Sequence, residues 1–167
     1  MDRRYPVGKP DPNDQTPIPQ GIEEIAALPA KLREVVARLG EQRMETPYRE
    51  GGWTARQVVH HLADSHINSY VRFRLALTEN CPTVKPYDES HWAELFDAKT
   101  APVDVSLGLI ESLHARWVML LRSMTPTDFE REFQHPERGR VTLAQNVRLY
   151  AWHCRHHLAH LGLILAE

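Results

Sequence analysis

The chain has 167 residues, 20 basic and 22 acidic side chains and a formal net charge of −2 at pH 7, a size that supports one domain with a buried core and argues against two. Nearly balanced charge without a long basic run gives no electrostatic footprint for nucleic acid. No apolar run approaches the ~20 residues that span a bilayer, and the N-terminal stretch lacks the apolar segment of a signal peptide, so the expectation is a cytoplasmic protein with no membrane partner.

Five of the 12 prolines fall in the first 20 residues, so residues 1–20 read as an extended arm without its own core, the rest of 1–167 being one helical domain. From Ile22 the residues Ile25, Leu28, Leu32, Val36 and Leu39 recur at helical spacing; Gly40 is a stop signal and Pro29 a kink. Thr54 with Gln57 forms a capping box that opens a second helix running to about Glu79. The segment after it is broken by Pro82 and Pro86, with room for a short helix from His91 to Phe96 before Pro102, and is long enough to cross the molecule. A third helix is predicted from about Val103 to Met124, carrying Leu107, Ile110, Leu113, Trp117 and Leu121 on one stripe. After an irregular HPERG segment, Thr142 and Gln145 make another capping box and start a fourth helix that reaches nearly to the end. Four long amphipathic segments with no convincing strand predict an all-α four-helix bundle, a fold that builds cofactor sites from side chains on facing helices.

Seven of the ten histidines fall in two windows, VVHHLADSH and WHCRHHLAH. Neutral imidazole is the commonest protein ligand for zinc and related metals, and two His four residues apart on a helix can grip one ion. The competing reading is surface histidine or capping. In the last helix His153 with His157 and His156 with His160 have the same spacing, and spacing alone does not choose between them. The first pair falls on the apolar stripe of Leu143, Val147, Tyr150, Leu161 and Ile164, which favours it as the inward pair. In the second helix His61 shares a face with Val58, Leu62 and Ser65, while His60 points about 100° away.

Three protein ligands fit a catalytic metal with an open position, and a structural zinc would want four. Cys154 projects to another side than His153 and reads as a small core residue; Cys81 reads as a free thiol. His160 and His66 are candidate supporting partners. Asp64 and Glu111, with His160, are weak candidates for acid–base work, against the commoner reading of solvated charge. Arg116 and Lys85 are candidate anion binders with the same competing reading. No Ser-His-Asp arrangement, phosphate-cradling glycine loop or dinucleotide fingerprint competes.

The run PYREGGWTARQVVHHLADSHINSYVRFRLALTE, followed by KPYDE, LHARW, HPE and YAWHCRHHLAH, resembles the YfiT group of the DinB superfamily over nearly the whole chain. The resemblance implies a DinB-type four-helix bundle with a crossover connection and short extra helices, often homodimeric, holding one divalent metal such as zinc or nickel. Its three ligands match His61, the second of the HH pair, His153 directly after Trp152, and His157. After the last ligand many DinB relatives carry Arg-Gly-Gln, where this chain has Leu158, Ala159 and His160. The activity implied is a metal-dependent hydrolase acting on a small-molecule substrate. The alternatives are transfer of a low-molecular-weight thiol such as bacillithiol, the metal holding the thiolate, and a non-catalytic metal-stabilised module.

Overall fold

The computed structural model describes residues 2–166. Helix α1 (Ile18–Leu39) carries Pro19 in its first turn, where the missing N–H is not needed, and buries Ile22, Ile25, Leu28, Leu32, Val36 and Leu39. It ends at Gly40, whose φ of 65° suits a residue without a side chain. The helix starts earlier than predicted: residues 18–20, assigned to the arm, belong to its first turn. Prolines that mark an arm by composition are equally at home at the start of a helix.

Helix α2 (Ala55–Thr78) follows the predicted cap, and the crossover segment after it holds two short helices, α3 (Glu89–Trp92) and α4 (Phe96–Thr100). Helix α5 (Val103–Ser123), the single turn α6 (Pro126–Phe129) and α7 (Leu143–Leu165) complete the helical set. Helix α1 packs on α7 and α5, and α2 packs on the same two from the other side. Consecutive α1 and α2 therefore stand at opposite corners of the bundle instead of forming a hairpin, and α2 faces α7 across the interior. Trp117, Phe73, Leu62, Ile110, Leu28 and Ile25 fill that interior. Gly21 lets α1 and α7 approach closely: a Cβ there would lie 2.9 Å from Val147 Cγ1.

One element was not foreseen. The segment read as irregular forms a hairpin, β1 (Glu132–His135) against β2 (Gly139–Thr142), antiparallel in the register Phe133 to Val141 and His135 to Gly139. Two four-residue strands, with only Phe133 and His135 of β1 buried, give too short a pattern for a period-two signal. The crossover is tied to β1 by hydrogen bonds from Val84 N–H to Gln134 O and from Gln134 N–H to Pro82 O, at 3.0 and 2.9 Å.

The arm lies on α7. Arg148 Nε donates to Thr16 O (2.9 Å), Trp152 Nε1 donates to Gly8 O (3.1 Å), and His160 Nε2 sits 3.3 Å from Arg4 O. Among the described residues no helix is long and apolar enough to cross a membrane.

Candidate metal centre

Both capping boxes form as the sequence implies, Thr54 with Gln57 and Thr142 with Gln145. They fix where α2 and α7 begin, and so the direction in which each histidine points. His61 on α2 meets His153 and His157 on α7. Their ring centroids are 5.3, 4.8 and 4.4 Å apart pairwise, and one ligand atom from each falls within 4.8 Å of the others. His61 Nε2 and His153 Nε2 are 3.2 Å apart. Two nitrogens bound tetrahedrally to one zinc at 2.0–2.1 Å stand about 3.3 Å apart, so this pair already has the bite of a metal chelate. Trp53 covers one side, its ring 4.7 Å from that of His61.

Behind His153 runs a chain of imidazoles whose polarity is set at its far end. Pro29 has no N–H, so the carbonyl of Ile25, four residues earlier, lacks its helical donor. That carbonyl accepts from His114 Nδ1 at 2.7 Å. A neutral His114 protonated on Nδ1 offers a bare Nε2, which accepts from His66 Nδ1 at 2.8 Å, and the bare Nε2 of His66 accepts from His153 Nδ1 at 3.1 Å. The proton directions follow from the carbonyl, which can only accept. The chain thus leaves the Nε2 lone pair of His153 free and aimed at His61.

His157 has a shorter counterpart. Arg4 O accepts from His160 Nε2, leaving His160 Nδ1 to accept from His157 Nδ1 at 3.4 Å. Tyr48 stacks on His160 at 3.9 Å and 15°. The arm therefore closes the second chain, and His157 too is left with Nε2 bare.

Burial keeps all these rings neutral. It pushes the pKa of His61 down to about 3 and those of His114, His156 and His160 to about 4, with His66, His153 and His157 well below the ordinary value. Neutral imidazoles are what a divalent cation requires. A cavity of about 690 Å³ opens onto His61, His153 and His157. A second cavity, about 630 Å³, lies between α1, α5 and α6 against Ile22, Leu121, Met124 and Phe129. Its walls are mostly apolar, and among the described residues Glu23 and Arg122 on them form an exposed ion pair at 2.7 Å.

Residues 24–161 match the family model of the DinB superfamily. The chain belongs to the DinB superfamily. It is similar at 54% identity to a "Putative metal-dependent hydrolase" of Bacillus cereus, over 96% of this chain and 94% of that one. Its likeness to "Putative metal-dependent hydrolase OB0782" of Oceanobacillus iheyensis is 49%, over 96% and 95%. Among solved structures it is similar to YfiT from Bacillus subtilis, described as a probable metal-dependent hydrolase with an unusual four-helix bundle topology. The TM-score is 0.93 at 45% identity, covering 98% of this chain and 96% of that one.

Other candidates of this DinB-superfamily chain fall elsewhere. His60 points to α5, its Nδ1 2.7 Å from Ser106 Oγ and its Nε2 donating to Ala101 O. Glu111 is exposed and paired with Arg33 at 2.9 Å. Lys85 is exposed, and Arg116 lies over the Tyr70 ring; neither lines the cavity. Cys154 is buried, and its surroundings push its thiol up, away from a thiolate. His156 stacks on Trp152 and leaves Nδ1 buried without a partner. With His157 and His160 it forms a second close trio, drawn from one helix and lying beneath the arm. Sequence reasoning did not single out His114, which is buried on α5 between Ile110 and Trp117; its place in the apolar stripe was the signal that could have found it.

Asp64 lies outside the cavity lining, half-buried, and burial with the neighbouring charge of Asp97 raises its pKa to about 6. An acid whose folded pKa is raised destabilises the fold above that value and does nothing below its unfolded value near 3.8. Asp64→Asn therefore stabilises the metal-free protein at pH 7–8 by about 1 kcal/mol, after allowing for solvent screening. The gain disappears below about pH 4. Urea unfolding of both proteins across that range measures it.

Proposed function

We propose that this protein is a metal-dependent hydrolase in which His61, His153 and His157 hold one divalent ion, zinc or nickel. The observation that carries the reading is the convergence of three neutral imidazoles from two facing helices on one side of a 690 Å³ cavity. The donor set fits such an ion: three nitrogens with an open remaining side match a catalytic site, whereas a structural zinc takes four protein ligands. A bound divalent ion supplies Lewis acidity to the bond under attack and lowers the pKa of water toward ~7.

The chain's own residues do the rest. The two imidazole chains hold the ligand rings in one tautomer. Trp53 packs its ring against that of His61 on one side of the site. Ser65 Oγ, 3.5 Å from His153 Nε2 and 3.2 Å from Tyr150 OH, stands where it can hydrogen-bond a substrate's polar atom, while Tyr150 OH donates to Ser65 O at 3.0 Å. The cavity's volume suits a small molecule.

Purified protein should carry close to one divalent ion per chain by elemental analysis. Hydrolysis of an ester and amide panel should vanish on chelation and return with zinc or nickel. Absence of metal would sink the reading. Thiol-dependent conjugation of an electrophile without any hydrolysis would replace hydrolysis by thiol transfer at the same three histidines.

A further inference from the structure

The cavity beside the histidines has a basic far end. Arg72 shares a stripe of α2 with His61 and Ser65, and stands about 16 Å beyond His61 along the helix axis. It is 8% exposed and lines the cavity. Its guanidinium makes no hydrogen bond, ion pair or ring contact among the described residues. The contrast with Arg56 is direct. That equally buried guanidinium is held by Glu45 Oε1 (2.7 Å), Glu41 Oε1 (2.5 Å) and Ala101 O (2.9 Å). An unpaired buried cation is unfavourable. The nitrogens of Arg72 are not among the sealed, unsatisfied polar atoms, so they open on the cavity.

Its neighbours are donors too. His135, 5% exposed, accepts at Nδ1 from Glu137 N–H (3.2 Å), which leaves its proton on Nε2. Burial, then Arg72 and Arg138, hold the His135 ring neutral. Burial pushes the Tyr87 phenol up, so it keeps its proton. Arg138 lines the same end from an exposed position, as do the carboxylates Glu89 and Glu137, so Arg72 is the buried charge of this end.

We propose that Arg72, with Arg138 and His135, forms an anion subsite, so that the substrate carries a carboxylate or phosphate group bound here while its reacting bond lies at the histidines. The assignment rests on the histidine centre being the reaction site. It makes Arg72 a specificity determinant, held without a counter-charge until the substrate supplies one.

The test is calorimetric titration of metal-free and zinc-loaded protein with glutarate, propyl phosphate and neutral glutaramide. Both anions should bind in either form and the diamide should not; their relative affinity distinguishes a carboxylate from a phosphate end. Arg72→Met should weaken anion binding by about tenfold or more, and Arg72→Lys should recover part of it. Metal content should be unchanged, and the Tm of Arg72→Met should equal or exceed wild type, because a buried charge is removed, no hydrogen bond or ion pair is lost, and the methionine stem keeps most of the packing. Equal anion affinity in wild type and Arg72→Met overturns the subsite, as does a fall in Tm with anion affinity unchanged. Zinc-loaded protein without Arg72-dependent anion binding sinks the subsite and leaves the hydrolase reading standing. Arg72-dependent anion binding in a protein that takes up no metal does the reverse.

Discussion

Replacing His153 by alanine lowers zinc affinity by about 10²–10³-fold. Four-ligand structural zinc sites are worth about 10–16 kcal/mol, or roughly 2.5–4 kcal/mol per ligand, and each 1.4 kcal/mol is about tenfold. The substitution also strands His66 Nε2, whose partner at 3.1 Å is His153 Nδ1, at fully buried depth. An unsatisfied buried acceptor costs about 1–3 kcal/mol, so thermal stability of the metal-free protein falls as well. Competition against a chromophoric chelator measures the affinity. His156→Ala is the matched control: its Nδ1 already has no partner, and the expected change in affinity is below about threefold. If His156→Ala lost affinity and His153→Ala kept it, the trio of His156, His157 and His160 would be the site instead.

The second large effect comes from a residue that touches no metal. His114→Leu weakens zinc binding by about 10–100-fold, the range for partners that orient a ligand. Leucine cannot accept from His66 Nδ1, so the proton directions along His66 and His153 are no longer imposed, and the tautomer with His153 Nε2 protonated becomes populated at the expense of the binding form. His114→Gln is the discriminating variant, because its side-chain carbonyl can accept where His114 Nε2 did. It should restore affinity to within a few-fold of wild type. Nitrogen-15 spectra of the metal-free protein should show His153 protonated on Nδ1 in wild type and His114→Gln, and a mixture in His114→Leu. Equal affinity in all three proteins would reduce the imidazole chain to packing.

Much of this was legible before any coordinates. The capping boxes at Thr54 and Thr142 place both histidine-bearing helices within a residue of their true starts, because side-chain caps are local events written in adjacent residues. That His61 faces α7 while His60 points elsewhere also follows from helix geometry, and Ser106 and Ala101 account for the other ring. What was not legible depends on which helices become neighbours. Placing α1 and α2 at opposite corners brings α5 against α2, and only then do His66 and His114 meet. Arg72 presents the same difficulty from the other side: its place on the His61 stripe could have been counted, but its lack of a counter-ion is a property of the assembled cavity. The carboxylates singled out from sequence, Asp64 and Glu111, sit on helices that do reach the interior, yet on other faces of them.

Pro29 shows how stability and chemistry pull apart in this fold. A helix interior loses about 3 kcal/mol by holding a proline, so any effort to harden the protein by optimising α1 would single out this position. Alanine there would return an N–H to the Ile25 carbonyl, giving that oxygen a donor to share with His114. The hardened variant would then melt later but hold His114 Nδ1 less firmly, because the carbonyl would divide its acceptor strength between two donors. An apparent flaw in α1 thus reserves for His114 the carbonyl on which the polarity of the centre, three rings away, is anchored.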